Sequence, residues 1–169
     1  PEEWIDADRQ RLAAEIRAET KPIIVVANKA DIAPAENIER LREAAETVIP
    51  ATADGELALR QAVEAGVVDY DPGDPDFTIT GDLSDSQGEG LERIRDVMAE
   101  WGGTGVQAAL DAVVYDVLDQ ITVYPVQNET KWTDAQGTVL PDAHLLPVGS
   151  TPLDLAYAVH SDIGEGYLH

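Results

Sequence analysis

Polar and apolar positions follow two different periods along this chain, and the switches between them mark its elements. From Glu2 to about Glu19, Ile5, Leu12 and Ile16 recur at helical spacing among charges, which predicts an amphipathic helix. It leads into an unbroken apolar run, Ile23-Ile24-Val25-Val26-Ala27, opened by Pro22. Such a run of branched and small residues predicts a strand covered on both faces, as in a parallel sheet flanked by helices. Pro34 begins a second helix to about Glu46, with Ile38, Leu41 and Ala45 on one face. Thr47 to Ala51 reads as a short strand and Gly55 to Ala65 as a third helix. Strand, helix, strand, helix is the order of a parallel α/β sheet.

Beyond Val68 the pattern loosens. Asp69 to Gln87 is loop-rich, with Asp71-Pro72-Gly73-Asp74-Pro75-Asp76 as its strongest breaker and one strand expected at Phe77 to Thr80. Two helices follow, Glu89 to Trp101 and Thr104 to Leu118. Gly102-Gly103 forms the turn between them, and Thr104 is the expected N-cap of the second. From Ile121 the texture changes again. Ile121 to Val126 alternates like a strand, His144 to Leu146 is a second short one, and Thr151-Pro152 opens a helix over Leu153 to His160. These switches divide the chain into 1–118 and 119–169, with no internal repeat.

Composition sets limits on function. A chain of 169 residues with 44% hydrophobic content can pack one ordinary domain or two small ones. No apolar stretch approaches the roughly 20 residues that span a bilayer, and the start does not resemble a secretory signal. The expectation is a cytoplasmic monomer without a membrane partner. Cysteine is absent, and His144, His160 and His169 are not spaced as a metal cluster, so no metal ligands are expected here. The net charge is −22, from 33 acidic and 11 basic residues. After Arg95 the only basic side chain is Lys131, which leaves no basic patch for autonomous nucleic-acid binding. Acidity spread through every segment, with scarce lysine, points to adaptation to concentrated salt, where a Debye length of about 3 Å near 1 M screens self-repulsion.

The most informative residues follow the first strand. Asn28-Lys29-Ala30-Asp31 falls where open α/β sheets bind ligands, beyond the carboxyl end of a buried strand. Guanine presents a ring N1 proton beside an exocyclic amine, so one carboxylate, Asp31, can accept both bonds in a fork. Adenine offers neither donor there, and a charged acceptor left unpaired rejects it. Asn28 can reach N7 with its amide and brace the loop, while the Lys29 stem covers the base face. The competing reading is an Asx-type turn in which Asn28 and Asp31 satisfy local backbone groups.

The phosphate half of a nucleotide site is missing. No glycine in the chain is followed by lysine, so there is no Gly-Lys-Ser/Thr phosphate loop. Asp85-Ser86-Gln87-Gly88 and Asp134-Ala135-Gln136-Gly137 match the Asp-x-x-Gly magnesium loop in form but come after the base loop instead of before it, and read as ordinary turns. No catalytic residue is expected in this chain, which looks like part of a longer protein cut at both ends.

The stretch Leu140 to Gly164 closely resembles the TGS domain, a ubiquitin-like β-grasp module of α+β class. Together with the Asn28 loop it makes the whole chain similar to the Obg-like/YchF GTPase family, most like its archaeal members. The resemblance implies the later part of a P-loop GTPase domain, Rossmann-like with a parallel sheet, over 1–118, and an incomplete TGS domain over 119–169. It also implies a second base-contacting pair, matched here by Thr52 and Ala53, whose backbone N–H at Ala53 would meet guanine O6. Without the resemblance, Thr52 or Asp54 reads as a helix N-cap. The implied activity is GTP hydrolysis by the full-length protein, with Mg²⁺ held upstream, and the implied partners are ribosome or RNA through the TGS module. Some relatives prefer ATP and often carry glutamate in place of this aspartate; Asp31 favours GTP. A purely regulatory TGS module would leave the Asn28 loop without purpose. Within the TGS segment, Tyr157 is assigned to core packing and His160 to a surface or capping role.

Overall fold

A computed structural model describes residues 4–140 and 142–167. Glu2 and Glu3 of the first predicted helix, Pro141 of the TGS-like stretch and the final Leu168 and His169 lie outside the described residues. The chain divides into two compact units that meet between Leu110 and Asp111.

In the first unit, helix α1 (Asp6–Thr20) precedes strand β1 (Val25–Asn28), helix α2 (Ala35–Ala44) and strand β2 (Val48–Ala51). β1 and β2 pair in parallel, Val25 with Val48 through Asn28 with Ala51, with α2 as the crossover. One face is packed, where Ala27, Ala30 and Ile38 cluster with Val48 and Trp101. The expectation of a strand covered on both faces is not met here. Val26 is 44% exposed and Ile23 59%, because among the described residues β1 pairs only with β2 and the packed side is that of Ala27.

Helix α3 (Ala53–Glu64) follows β2 directly, then the short antiparallel pair β3 (Val68–Asp69) and β4 (Thr78–Ile79), then α4 (Asp85–Trp101). Leu59, Val68, Tyr70, Phe77, Leu91 and Met98 bury one another in the largest core of this unit. Ser84 caps α4 through a reciprocal box with Gln87, so Asp85 to Gly88 is a helical first turn. Gly102 ends that helix at φ 81°, a left-handed C-cap suited to glycine. The next helix differs from expectation. It starts at Val106 rather than being capped by Thr104, runs as α5 (Val106–Asp111), and continues as a π-helical segment over Ala112–Val117.

The second unit holds the antiparallel strands β5 (Gln120–Val123) and β6 (His144–Pro147), then helices α6 (Pro152–Val159) and α7 (Ser161–Glu165). Between the strands, Asp134 Oδ1 accepts from the N–H groups of Gln136 and Thr138, so Asp134 to Gly137 is an Asx turn. Thr151 caps α6 with Asp154 as its reciprocal partner. His160 caps α7, its Nδ1 accepting from Asp162 N–H at 3.1 Å. Tyr157 is not in a core: it is 51% exposed, and its ring lies where a Cβ on Gly164 would stand. The ring packs on α7 because glycine leaves that space open.

Candidate functional site

Asn28 ends β1 and its register partner Ala51 ends β2, so the parallel pair releases two loops side by side. The Asn28 side chain joins them. Its Oδ1 accepts from the N–H of Lys29 at 2.8 Å and from the N–H of Ala53 at 3.1 Å. Ala30 N–H donates to the Ala51 carbonyl at 3.0 Å, and the N–H groups of Ile32 and Ala33 both donate to the Lys29 carbonyl. Lys29 itself sits at φ 68°, a left-handed conformation that costs a residue bearing a Cβ on the order of 1–2 kcal/mol. Such a backbone persists where its surroundings over-determine it, as these five bonds do.

Asp31 is exposed, and among the described residues its carboxylate has no hydrogen bond or ion pair. It lines a cleft of about 650 Å³ together with Thr52, Asp54, Arg93, Glu100 and Trp101. Asn28, Lys29 and Ala53 do not line this cleft. The structure thus brings Asn28, Lys29 and Ala53 into one hydrogen-bonded clasp and sets Asp31 and Thr52 along the adjoining opening. The Ala53 N–H, expected to be open for a base oxygen, is bound by Asn28, which the strand register places between the two loops. Thr52 is 2% exposed and acts as the N-cap of α3, its Oγ1 accepting from Gly55 N–H at 3.2 Å. Of the two readings the sequence offered for this position, a base contact and a helix cap, the cap is the one present.

Behind the clasp lies a buried carboxylate that the sequence reading did not single out. Glu56, 5% exposed on the first turn of α3, accepts from Tyr70 Oη at 2.7 Å, Thr104 Oγ1 at 2.6 Å and Arg60 Nε at 2.6 Å. Burial alone would raise its pKa, but the bonds from Thr104, Tyr70 and Arg60 outweigh it and hold the carboxyl below the ordinary glutamate value. Burial beside that anion raises the Tyr70 phenol in turn. Thr104, itself 2% exposed, offers its carbonyl to the Thr52 N–H at 2.8 Å. Its neighbour Gly105, at φ 79°, lies so close to β2 that a Cβ there would stand 1.9 Å from the Pro50 carbonyl oxygen. The hydroxyl expected to cap a helix therefore binds a carboxylate 48 positions away. A glutamate one turn past a capped strand end, followed far downstream by Thr-Gly, is the only trace of this network in the sequence.

No group of three side chains suited to holding a metal ion occurs among the described residues. The two Asp-x-x-Gly sequences do not fit Mg²⁺ as they stand, one being a helix start and the other an Asx turn closed on its own backbone. No helix among the described residues is long and apolar enough to cross a membrane.

Two families match the chain in tandem. Residues 26–128 match the family described as Obg-like GTPase YGR210-like, G4 motif-containing domain, and residues 136–169 match the TGS domain. An uncharacterized GTP-binding protein of Methanocaldococcus jannaschii is 41% identical over 172 residues, covering 100% of this chain and 44% of that protein. Among solved structures, a GTP-binding protein from Pyrococcus horikoshii OT3 is 39% identical with a TM-score of 0.68, covering 98% of this chain and 43% of that one. The chain thus spans less than half the length of these relatives.

Proposed function

We propose, because this chain belongs to the Obg-like GTPase family of YGR210-like proteins and carries its G4-motif region followed by a TGS domain, that Asn28 to Asp31 selects guanine for a GTP-hydrolysing protein. The observation that carries this reading is the state of Asp31: exposed at the mouth of a cleft and without a protein partner among the described residues, beside a loop otherwise locked by hydrogen bonds. An acceptor held ready in this way suits two adjacent donors on a ligand. Asn28 Oδ1 is engaged by the loop backbone, which leaves its Nδ2 as the group to meet N7, and the Lys29 stem covers the ring. Ala53 and Thr52 then serve the base indirectly, Ala53 by clasping Asn28 and Thr52 by capping α3.

In this reading the region recognises the base and contributes nothing to bond cleavage, since the groups that orient water, bind Mg²⁺ and spread phosphoryl charge belong to other parts of the protein. The TGS domain supports contacts with ribosome or RNA, and the acidity supports a salt-rich cytoplasm. Titration of the full-length protein with GTP and ATP tests the assignment. Wild type prefers GTP. Asp31→Asn, which sets an amide donor against guanine's donors, weakens GTP by roughly tenfold to a hundredfold, the worth of a charge-assisted pair at about 1.5–3 kcal/mol, and improves binding of the xanthine nucleotide. Equal GTP affinity in both proteins removes Asp31 from the site, and a preference for ATP overturns the choice of base.

A further inference from the structure

We infer that Thr104, held by the buried Glu56, is a positioning residue for nucleotide recognition: it acts through the loop of Thr52 and Ala53 to set the Asn28 amide. The inference rests on the base-recognition reading above and adds to it the device that fixes one of the two contacts. The path is continuous in hydrogen bonds. Glu56 Oε2 accepts from Thr104 Oγ1 at 2.6 Å, which orients the Thr104 backbone. The Thr104 carbonyl then accepts from Thr52 N–H at 2.8 Å, fixing the first residue of the second loop. The next residue, Ala53, donates to Asn28 Oδ1 at 3.1 Å, and that bond, beside the local one from Lys29 N–H at 2.8 Å, ties the facing of the Asn28 amide to the second loop.

Three observations mark this as more than general packing. Thr52 and Thr104 are each 2% exposed, so water cannot replace either partner, and an unmade bond there carries its full desolvation cost. Gly105 brings the segment against the end of β2 at a distance no side chain permits, so the segment meets the strand where its loop departs. The Asp31 carboxylate is not on this path, since it has no bond to any described residue. The two base contacts therefore separate: the Asn28 contact to N7 depends on Thr104, whereas the Asp31 contact to N1 and the 2-amine does not.

The experiment uses the full-length protein and three nucleotides: GTP, ITP, which lacks the 2-amine, and 7-deaza-GTP, which lacks N7. Wild type prefers GTP over 7-deaza-GTP by about three- to tenfold, the worth of one neutral hydrogen bond. Thr104→Val removes the hydroxyl at nearly constant shape, and Thr104→Ala does so should the valine variant not fold. Either variant brings the GTP to 7-deaza-GTP ratio close to one while leaving the GTP to ITP ratio as in wild type. Thr104→Ser restores the first ratio. Tyr70→Phe takes a comparable bond from the same Glu56 oxygen but leaves the bonds of Thr104, Thr52 and Ala53 in place, so it lowers stability and moves neither ratio. A Thr104 variant that keeps its 7-deaza-GTP discrimination overturns the inference, as does a wild type that discriminates ITP but not 7-deaza-GTP. Failure of wild type to separate GTP from ITP overturns the Asp31 reading itself, and this inference with it.

Discussion

Replacing Glu56 by alanine leaves two buried hydroxyls, on Tyr70 and Thr104, without the acceptor both donate to. Those residues are 5% and 2% exposed, so solvent does not repair the loss. Hydrogen bonds to a charged group contribute about 1.5–3 kcal/mol each, which puts Glu56→Ala at roughly 3–6 kcal/mol. That is a large fraction of the roughly 5–15 kcal/mol by which a folded domain is stable. The Arg60 bond adds little, because that guanidinium is half exposed and rehydrates when released. Glu56→Gln keeps an acceptor for the two hydroxyls and loses mainly the charge, so it falls well short of the alanine variant.

The acid dependence gives a second reading of the same group. Its pKa is lower folded than unfolded, so the stability it contributes is fully present above the ordinary glutamate pKa near 4.3 and is lost as pH falls through the folded value. The difference in unfolding free energy between wild type and Glu56→Gln, from denaturant melts at pH 7 down to 3, is therefore largest near neutrality and shrinks on acidification. Using the difference cancels the contribution of the many other carboxylates, which both proteins share. An alanine variant within about 1 kcal/mol of wild type, or a wild-type to glutamine difference that does not change with pH, refutes the buried-acceptor account.

Other consequences are simpler to test. Lowering the salt from about 1 M to 0.1 M lengthens the Debye length from about 3 to 10 Å, so with a net charge of −22 the thermal midpoint falls steeply on dialysis; a midpoint independent of salt rules out the halophilic reading. In the TGS unit, Thr151→Ala removes the cap of α6 and costs about 1 kcal/mol in denaturant melts. The same variant raises the Asp154 pKa part of the way back toward the ordinary aspartate value in an NMR titration, because the Thr151 backbone N–H bond remains while the hydroxyl bond is lost.

What was legible in the sequence was local. The β1-α2-β2-α3 order came from hydrophobic period and from breakers at Pro22 and Pro34, and the TGS-like helix from Thr151-Pro152, all signals within a few residues of the elements they fix. The placing of Asn28 at a strand end followed in the same way. The doubly covered strand did not follow, because which face of Val26 is packed depends on neighbours rather than on Val26. Thr104 was assigned to the nearest helix start, since a hydroxyl before a helical pattern favours capping. Its actual partner, Glu56, lies in another helix, and nothing in local spacing links them. Tyr157 shows the same limit on a smaller scale: an aromatic at helical spacing suggests a core, yet its ring is half exposed and covers the buried Gly164 of the next helix.

The pairing of Asn28 with Ala51 has a bearing on how such a protein can diversify. Because both loops leave neighbouring parallel strands at the same level, their mutual height is set by strand register alone. Residues gained or lost in the crossover between Asp31 and Thr47 change the helix or its turns and leave that height untouched. A single residue inserted within Val48 to Ala51 shifts one loop against the other by about 3.3 Å, beyond the reach of the Asn28 amide. Length variation among homologues, or in a designed library, is therefore tolerated on the helical side of this unit and forbidden inside four consecutive positions.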